Sequence, residues 1–332
     1  MTIPNEQPLR IAILGAGAVG SLVAARLIQA GHTPTLVARG ARLRALQTQG
    51  LYLRDAAQPV QTLPVSATSA HEAGPHDIVF LALKAHAIAP ALPDIARLLM
   101  PETRVIPLIN GIPWWYFQPD ETRAVATVDP DGALARAFDP SRLIGAVLFL
   151  TASLDEDGAV VARGPERIVM GSIGRGSAED DDSLLAPLRQ IFADTAIGVR
   201  FVREIRRDLW SKVALNLATN PLSVVAQATL AEQFNDPALA PTVAAVLEET
   251  VQLARTLGVE PRTDLEGMLA IGHQAGAFRT SMAQDFARGS PLELGAIARS
   301  VLDLADTQDV AMPTARTITD ICTFLEIRRN AA

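Results

Sequence analysis

The first half of the chain alternates short apolar runs with longer amphipathic ones. Residues 10–14 (RIAIL) read as a buried strand, 18–30 as the helix behind it and 35–38 as a second strand. Residues 77–83 (DIVFLAL) and 104–109 are two more apolar runs too short for helices. Strand and helix in this rhythm predict a parallel sheet covered on both faces. Weaker strands are expected at 143–150, 159–163, 168–171 and 199–202, with a polar, acidic turn at 174–183 and a helix at 184–193.

Past about residue 203 the strand runs stop and helical periodicity takes over. Helices are expected at 205–225, 241–257, 263–276, 280–288, 292–307 and 314–328. Gly258 and Gly289 are placed to stop helices, and Pro313 to start the last one. Pro221 lacks a backbone donor and should bend or end its helix just after Asn220. The expected fold is therefore α/β: a doubly wound, Rossmann-type sheet over residues 1–203, then an all-α domain over 204–332.

A length of 332 residues agrees with two cores rather than one. The net charge of -7 argues against nucleic acid as a partner. A single cysteine, Cys322, allows no intrachain disulfide and reads as a small buried residue of the last helix. Residues 1–10 lack the apolar core of a signal peptide, and no run reaches the length of a membrane span. A cytoplasmic location without a membrane partner is expected, and no metal site.

Candidate chemistry begins at Gly15, Ala16, Gly17, Ala18, Val19 and Gly20, a G-x-G-x-x-G motif between a strand and a helix. Gly15 permits the tight turn, Gly17 lets a pyrophosphate approach, and Gly20 packs helix on strand. The free amides of the helix start then face the anion. A cofactor with a bare ribose calls for a carboxylate at the end of the second strand, yet Arg39 stands there. A guanidinium binds a 2′-phosphate through paired hydrogen bonds, so NADPH/NADP is expected over NADH. Arg42 and Arg44 read as surface. Lys84 and Asn110 follow two further strands; each reads equally well as a site residue or as ordinary turn chemistry.

In the second half, Lys212, Asn216 and Asn220 recur every fourth residue and share one face of an otherwise apolar helix. Such a polar stripe needs partners or a ligand. Ser290-Pro291-Leu292-Glu293 reads as a capping box, and Ser281 as a possible cap of the shorter helix before it.

Taken together, GAGAVG, Arg39, the LALKAH segment with Lys84, INGIPWWYF with Asn110, WSKVALNLATNP, RTSMAQD and PLE with Glu293 resemble the ketopantoate reductase (2-dehydropantoate 2-reductase) family over nearly the whole chain. The resemblance implies NADPH-dependent reduction of 2-dehydropantoate to pantoate, within pantothenate and coenzyme A synthesis. It implies Lys212 as general acid, Glu293 and Asn110 as active-site partners, and Asn216, Asn220 and Ser281 as substrate ligands. Arg39 would take the 2′-phosphate, while Lys84, Asn110 and Glu293 would line the cofactor. It also implies a homodimer formed through the helical domain. The chain departs from the family pattern around Glu293, where Leu292 and Gly295 replace a hydroxyl and a carboxylate. Arg279 could add a cation for a substrate carboxylate, and the aromatic run from Trp114 to Phe117 adds bulk near the expected cleft. These departures leave open another small 2-oxo acid as substrate, or an NADPH-sensing paralogue without turnover.

Overall fold

The computed structural model describes residues 8–55, 58–174 and 178–331. The expectation for residues 1–10 falls mostly outside this range, as do residues 175–177 of the expected acidic turn. The chain divides into two compact units, Met1–Ile109 with Arg136–Ile205, and Asn110–Ala135 with Arg206–Ala332. Residues 110–135, expected in the first domain, are thus grouped with the helices.

The first unit is built on a five-stranded parallel sheet. Its strands lie in the order Ser66–Thr68, Thr35–Val37, Ile11–Leu14, Ile78–Leu81 and Arg104–Pro107. Ile11–Leu14 and Ile78–Leu81 are buried along their whole length, which is why they read as continuous apolar runs. The chain leaves Ile11–Leu14 to one side and later returns to pair on its other side. The sheet order therefore reverses at the carboxyl end of this strand, the point where such folds bind ligands. Behind it, helix Ala18–Gln29 is buried from Gly20 to Leu27. Its Arg26, 6% exposed, donates to Glu166 (2.8 Å) and Asp55 (3.1 Å), so the buried charge is paired.

Other parts of this unit differ from the expectation. Helix Gly40–Gln49 has one buried residue, Leu46, and so shows little apolar periodicity. Strands Gln61–Leu63, Leu51–Asp55, Val160–Ala162 and Ala152–Leu154 form a second sheet. Gly198–Phe201, Arg167–Ser172 and Ile144–Phe149 form a third, in which Arg167–Ser172 runs antiparallel to Ile144–Phe149. The acidic stretch expected as a turn instead opens helix Ala178–Phe192. Carboxylates are favoured at a helix start, where the macrodipole is positive.

The second unit is helical. Its principal helices are Ile205–Ala226, Leu230–Asn235, Ala240–Thr256, Leu265–His273, Ser281–Ala287, Ser300–Thr307 and Pro313–Ala331. Gly258 and Gly289 follow helix ends with φ of +76° and +70°, the left-handed conformation glycine tolerates. Pro313 is the first residue of the last helix, and the Glu249 carboxylate accepts from its next two amides, Thr314 and Ala315, each at 2.9 Å. Cys322 is fully buried on this helix, and burial pushes its thiol up to about 12. It is therefore an inert packing residue.

Two expectations fail here. Pro221 lies inside helix Ile205–Ala226, which continues for five residues beyond it. Leu222, Ser223 and Val224 are buried, and their packing outweighs the lost Leu217 acceptor bond. Ser290 does not cap the next helix, because helical structure starts only at Leu294 and its first turn is a π-helix, Gly295–Arg299.

Candidate active site

The glycine-rich turn has the geometry its motif demands. Gly15 takes φ +112°, and a Cβ there would meet the Ala82 carbonyl oxygen at 2.5 Å. A Cβ on Gly20 would sit 2.0 Å from the Gly15 oxygen. Glycine is thus obligatory at both positions for steric reasons. A Cβ on Gly17 would meet nothing within 4 Å, so the chain is open where a ligand would approach. Gly17 is the N-cap of helix Ala18–Gln29, and neither a capping side chain nor an acidic residue occupies its first turn. The first amides of this helix can therefore receive an anion.

Arg39 follows strand Thr35–Val37 as the exposed N-cap of helix Gly40–Gln49. Lys84 is half-buried and is the N-cap of helix Ala85–Ile88, three residues past strand Ile78–Leu81. Arg42, expected on the surface, is half-buried against the glycine-rich turn, donating to the Ala16 carbonyl at 3.1 Å. Arg44 is exposed, as expected.

The remaining candidates all belong to the second unit. Lys212, Asn216 and Asn220 lie on helix Ile205–Ala226, which rises about 1.5 Å per residue, so the stripe is about 12 Å long. Lys212 and Asn216 are half-buried and Asn220 is buried. Burial lowers the Lys212 ammonium from its usual 10.5 to about 8.

Four hydrogen bonds tie the other candidates to this helix and to one another. At one end, Trp210 donates its indole N–H to the Tyr116 hydroxyl at 2.8 Å, with the rings edge to face. Arg206 donates to the Tyr116 carbonyl at 2.8 Å. The segment after Asn110 is thereby fastened to the first turns of this helix. That segment is fastened again where Ile112 N–H donates to the Ala296 carbonyl at 2.8 Å, three residues past Glu293. Gly111 makes the approach possible, with φ +83° and no side chain against the Ala296 backbone. At the far end, the Ser223 and Thr280 hydroxyls lie 2.5 Å apart, which sets Arg279 and Ser281 near the Asn220 end of the stripe. Thr280, not Ser281, is the cap of helix Ser281–Ala287, accepting from Ala283 N–H at 3.2 Å. Ser281 and Arg279 are exposed.

The aromatic run from Trp114 to Phe117 is buried, none of it above 7% exposed, so it is core of the second unit and not bulk lining a cleft. Tyr116→Phe should cost about 1–2 kcal/mol by leaving the Trp210 N–H without its acceptor. Equal denaturant midpoints for variant and parent would contradict this.

Among the described residues, no group of three or more His, Cys, Asp or Glu is arranged to hold a metal, and no helix is long and apolar enough to cross a membrane.

Comparison with known proteins places the chain in a family. The family described as ketopantoate reductase PanE/ApbA matches residues 11–175, and its C-terminal counterpart matches residues 204–326. A 2-dehydropantoate 2-reductase of Mesorhizobium japonicum is 34% identical over 327 residues, covering 97% of this chain and 99% of the relative. A crystal structure from Ralstonia solanacearum, itself provisionally named a ketopantoate reductase, superposes with a TM-score of 0.88 at 33% identity, covering 97% of this chain and 99% of that one. The fold also extends to D-mandelate dehydrogenase in complex with NADH and anilino(oxo)acetate, with a TM-score of 0.84 at 20% identity, covering 97% and 100% of the two chains. With both family segments matched and a 34% identical relative over almost the full length, the chain is an oxidoreductase-type protein that belongs to the ketopantoate reductase family.

Proposed function

We propose that the protein is an NADPH-dependent 2-dehydropantoate 2-reductase, with Lys212 as the general acid. The observation that carries this reading is the Lys212 ammonium, lowered by burial to about 8 on the helix that also bears Asn216 and Asn220. A proton donor works best with a pKa near the working pH.

The residues present fit the dinucleotide. The amides at the start of helix Ala18–Gln29 would receive its pyrophosphate, and the exposed Arg39 its 2′-phosphate. Lys84 lies beyond a strand on the same edge of the sheet. NADPH, when bound, supplies the hydride. Lys212 donates a hydrogen bond to the ketone oxygen, stabilises the charge that develops on it, and then transfers its proton there. Asn216 and Asn220 bind substrate hydroxyl and carboxylate groups, and Ser281 receives the carboxylate. Asn110 and Glu293, joined through the Ile112–Ala296 bond, hold the geometry around the reacting carbon.

The decisive assay follows NADPH oxidation with 2-dehydropantoate and with a panel of other 2-oxo acids. Turnover of 2-dehydropantoate with the highest kcat/KM supports the reading. Higher kcat/KM on another oxo acid would move the substrate assignment, a reading favoured by Leu292 and Gly295, which stand where the family pattern has a hydroxyl and a carboxylate. Tight NADPH binding with no turnover on any of them would mark a sensor.

Arg39→Ala should raise the KM for NADPH by tenfold or more, the scale of a lost charge-assisted pair, and leave the KM for NADH within about twofold. Equal effects on both cofactors would remove Arg39 from the 2′-phosphate site.

A homodimer in the cytoplasm completes the proposal. It is supported by Ile321, Phe324 and Ile327, which stand 43%, 57% and 62% exposed on the last helix at a spacing of three. Sedimentation at micromolar concentration should give twice the mass of one chain.

A further inference from the structure

The guanidinium of Arg42 sits behind the glycine-rich turn and makes three hydrogen bonds there. Nε donates to the Ala16 carbonyl at 3.1 Å, Nη2 to the Ser21 hydroxyl at 3.1 Å and Nη1 to the Gly158 carbonyl at 2.8 Å. Ser21 is fully buried and donates its own hydroxyl to the same Ala16 carbonyl at 3.2 Å. Arg42, Ser21 and Ala16 thus close a ring of hydrogen bonds. The three acceptors of Arg42 are neutral, and burial lowers its pKa, yet an arginine keeps its proton even so. The ring therefore holds a positive charge at the root of the turn.

The geometry has a consequence for the neighbouring amide. The Ala16 C=O and the Gly17 N–H belong to one planar trans peptide and point in opposite directions. Fastening the carbonyl inward on Arg42 and Ser21 turns the Gly17 N–H away from them. Gly17 is also the residue whose added Cβ would meet no atom within 4 Å. A peptide free to flip would present a carbonyl in place of a donor, and an anion would be repelled.

We propose that Arg42 is a positioning residue of the dinucleotide site, which locks the Ala16–Gly17 peptide with its N–H outward and places a fixed positive charge behind the pyrophosphate without touching the cofactor. This rests on the reading of residues 15–20 as a pyrophosphate cradle. It goes beyond that reading by giving a long-range arginine control over the cradle. It separates two arginines of one short helix: Arg39 reads the 2′-phosphate, and Arg42 acts on the phosphates that NADPH and NADH share.

The test measures dissociation constants of NADPH, NADH and adenosine 2′-monophosphate for the full-length protein and its Arg42→Met, Arg42→Lys and Ser21→Ala variants. Adenosine 2′-monophosphate carries the 2′-phosphate and lacks the pyrophosphate. Arg42→Met should weaken NADPH and NADH alike by about tenfold, the scale of hydrogen bonds to a charged group, and leave adenosine 2′-monophosphate within twofold. Arg42→Lys should recover only part of this, because a single ammonium cannot span three acceptors. The KM for NADPH should rise with kcat at saturation unchanged. Ser21→Ala, which keeps the charge and opens the ring, should show the same pattern at about threefold, and serves if Arg42→Met fails to fold. Loss of NADPH and adenosine 2′-monophosphate binding with NADH unaffected would make Arg42 a direct 2′-phosphate ligand and overturn the proposal. So would unchanged affinities in both Arg42→Met and Ser21→Ala. Absence of NADPH and NADH binding by the parent protein is a different failure, that of the cradle reading itself.

Discussion

Replacing Lys212 by Ala should lower kcat for oxo acid reduction by about a hundredfold or more, the usual scale for removing a general acid. Asn216 and Asn220 share its helix and carry no ionisable proton to supply in its place. The fold should tolerate the loss. Lys212 has a folded value of about 8 against 10.5 for a free lysine, so burial disfavours its charged form. Below pH 8 the proton is bound in both folded and unfolded chains, and the full unfavourable contribution is present. Between 8 and 10.5 the unfolded chain binds more protons, so this unfavourable contribution shrinks as pH rises. A neutral side chain of similar shape removes it, and Lys212→Met should be at least as stable as the parent at pH 7. Activity and stability then move in opposite directions, as expected of a group kept for chemistry. A melting temperature several degrees lower in Lys212→Met would instead make the lysine a structural residue.

Gly111→Ala should be the most damaging single-atom change in the second unit. A Cβ at this position would lie 2.0 Å from the Ala296 oxygen, 2.3 Å from its carbonyl carbon and 2.8 Å from the Ile297 nitrogen. These are backbone atoms and cannot swing aside. The φ of +83° adds strain for any residue with a side chain. The segment must lift, and the 2.8 Å bond from Ile112 to Ala296 is lost with it. That carbonyl also accepts from the buried Ser300 hydroxyl at 2.7 Å, which shows how closely the π-turn is packed around it. A destabilisation of about 3 kcal/mol or more is expected, together with a fall in kcat as the segment that carries Asn110 lifts from the one that carries Glu293. Denaturant unfolding checks the first and steady-state kinetics the second. A change below about 0.5 kcal/mol would mean that the two segments are not docked as described.

The parts of this molecule legible in its sequence are those whose physics is local. Strands Ile11–Leu14 and Ile78–Leu81 are buried on both faces and read as apolar runs. The glycines of the turn stand out by their spacing between a strand and a helix, although the Ala82 carbonyl that excludes a side chain at Gly15 comes from a distant strand end. The stripe of Lys212, Asn216 and Asn220 stands out because helical spacing sets polar groups among apolar ones. What was not legible depends on distant partners. Residues 110–135 lack periodicity, and their place follows from contacts such as Tyr116 with Trp210, 94 residues away. Arg42 is one of two arginines in a polar helix until Gly158, 116 residues later, folds against it. The capping reading of Ser290 failed for a similar reason: Glu326, from the last helix, accepts from the Leu292 amide at 2.7 Å and supplies the anchor instead. The passage of helix Ile205–Ala226 through Pro221 reflects tertiary burial overruling a local rule.

The claim on which the rest depends is that the Lys212 ammonium supplies the proton to the reduced substrate. Its most direct test is the pH dependence of kcat/KM for NADPH-driven reduction of 2-dehydropantoate in the parent and in Lys212→Ala. The parent should hold a plateau below about pH 8 and lose activity tenfold per pH unit above it, as the lysine gives up its proton. The variant should run far lower and show no break near pH 8. The same break in both proteins, at comparable rates, would assign the proton to another group.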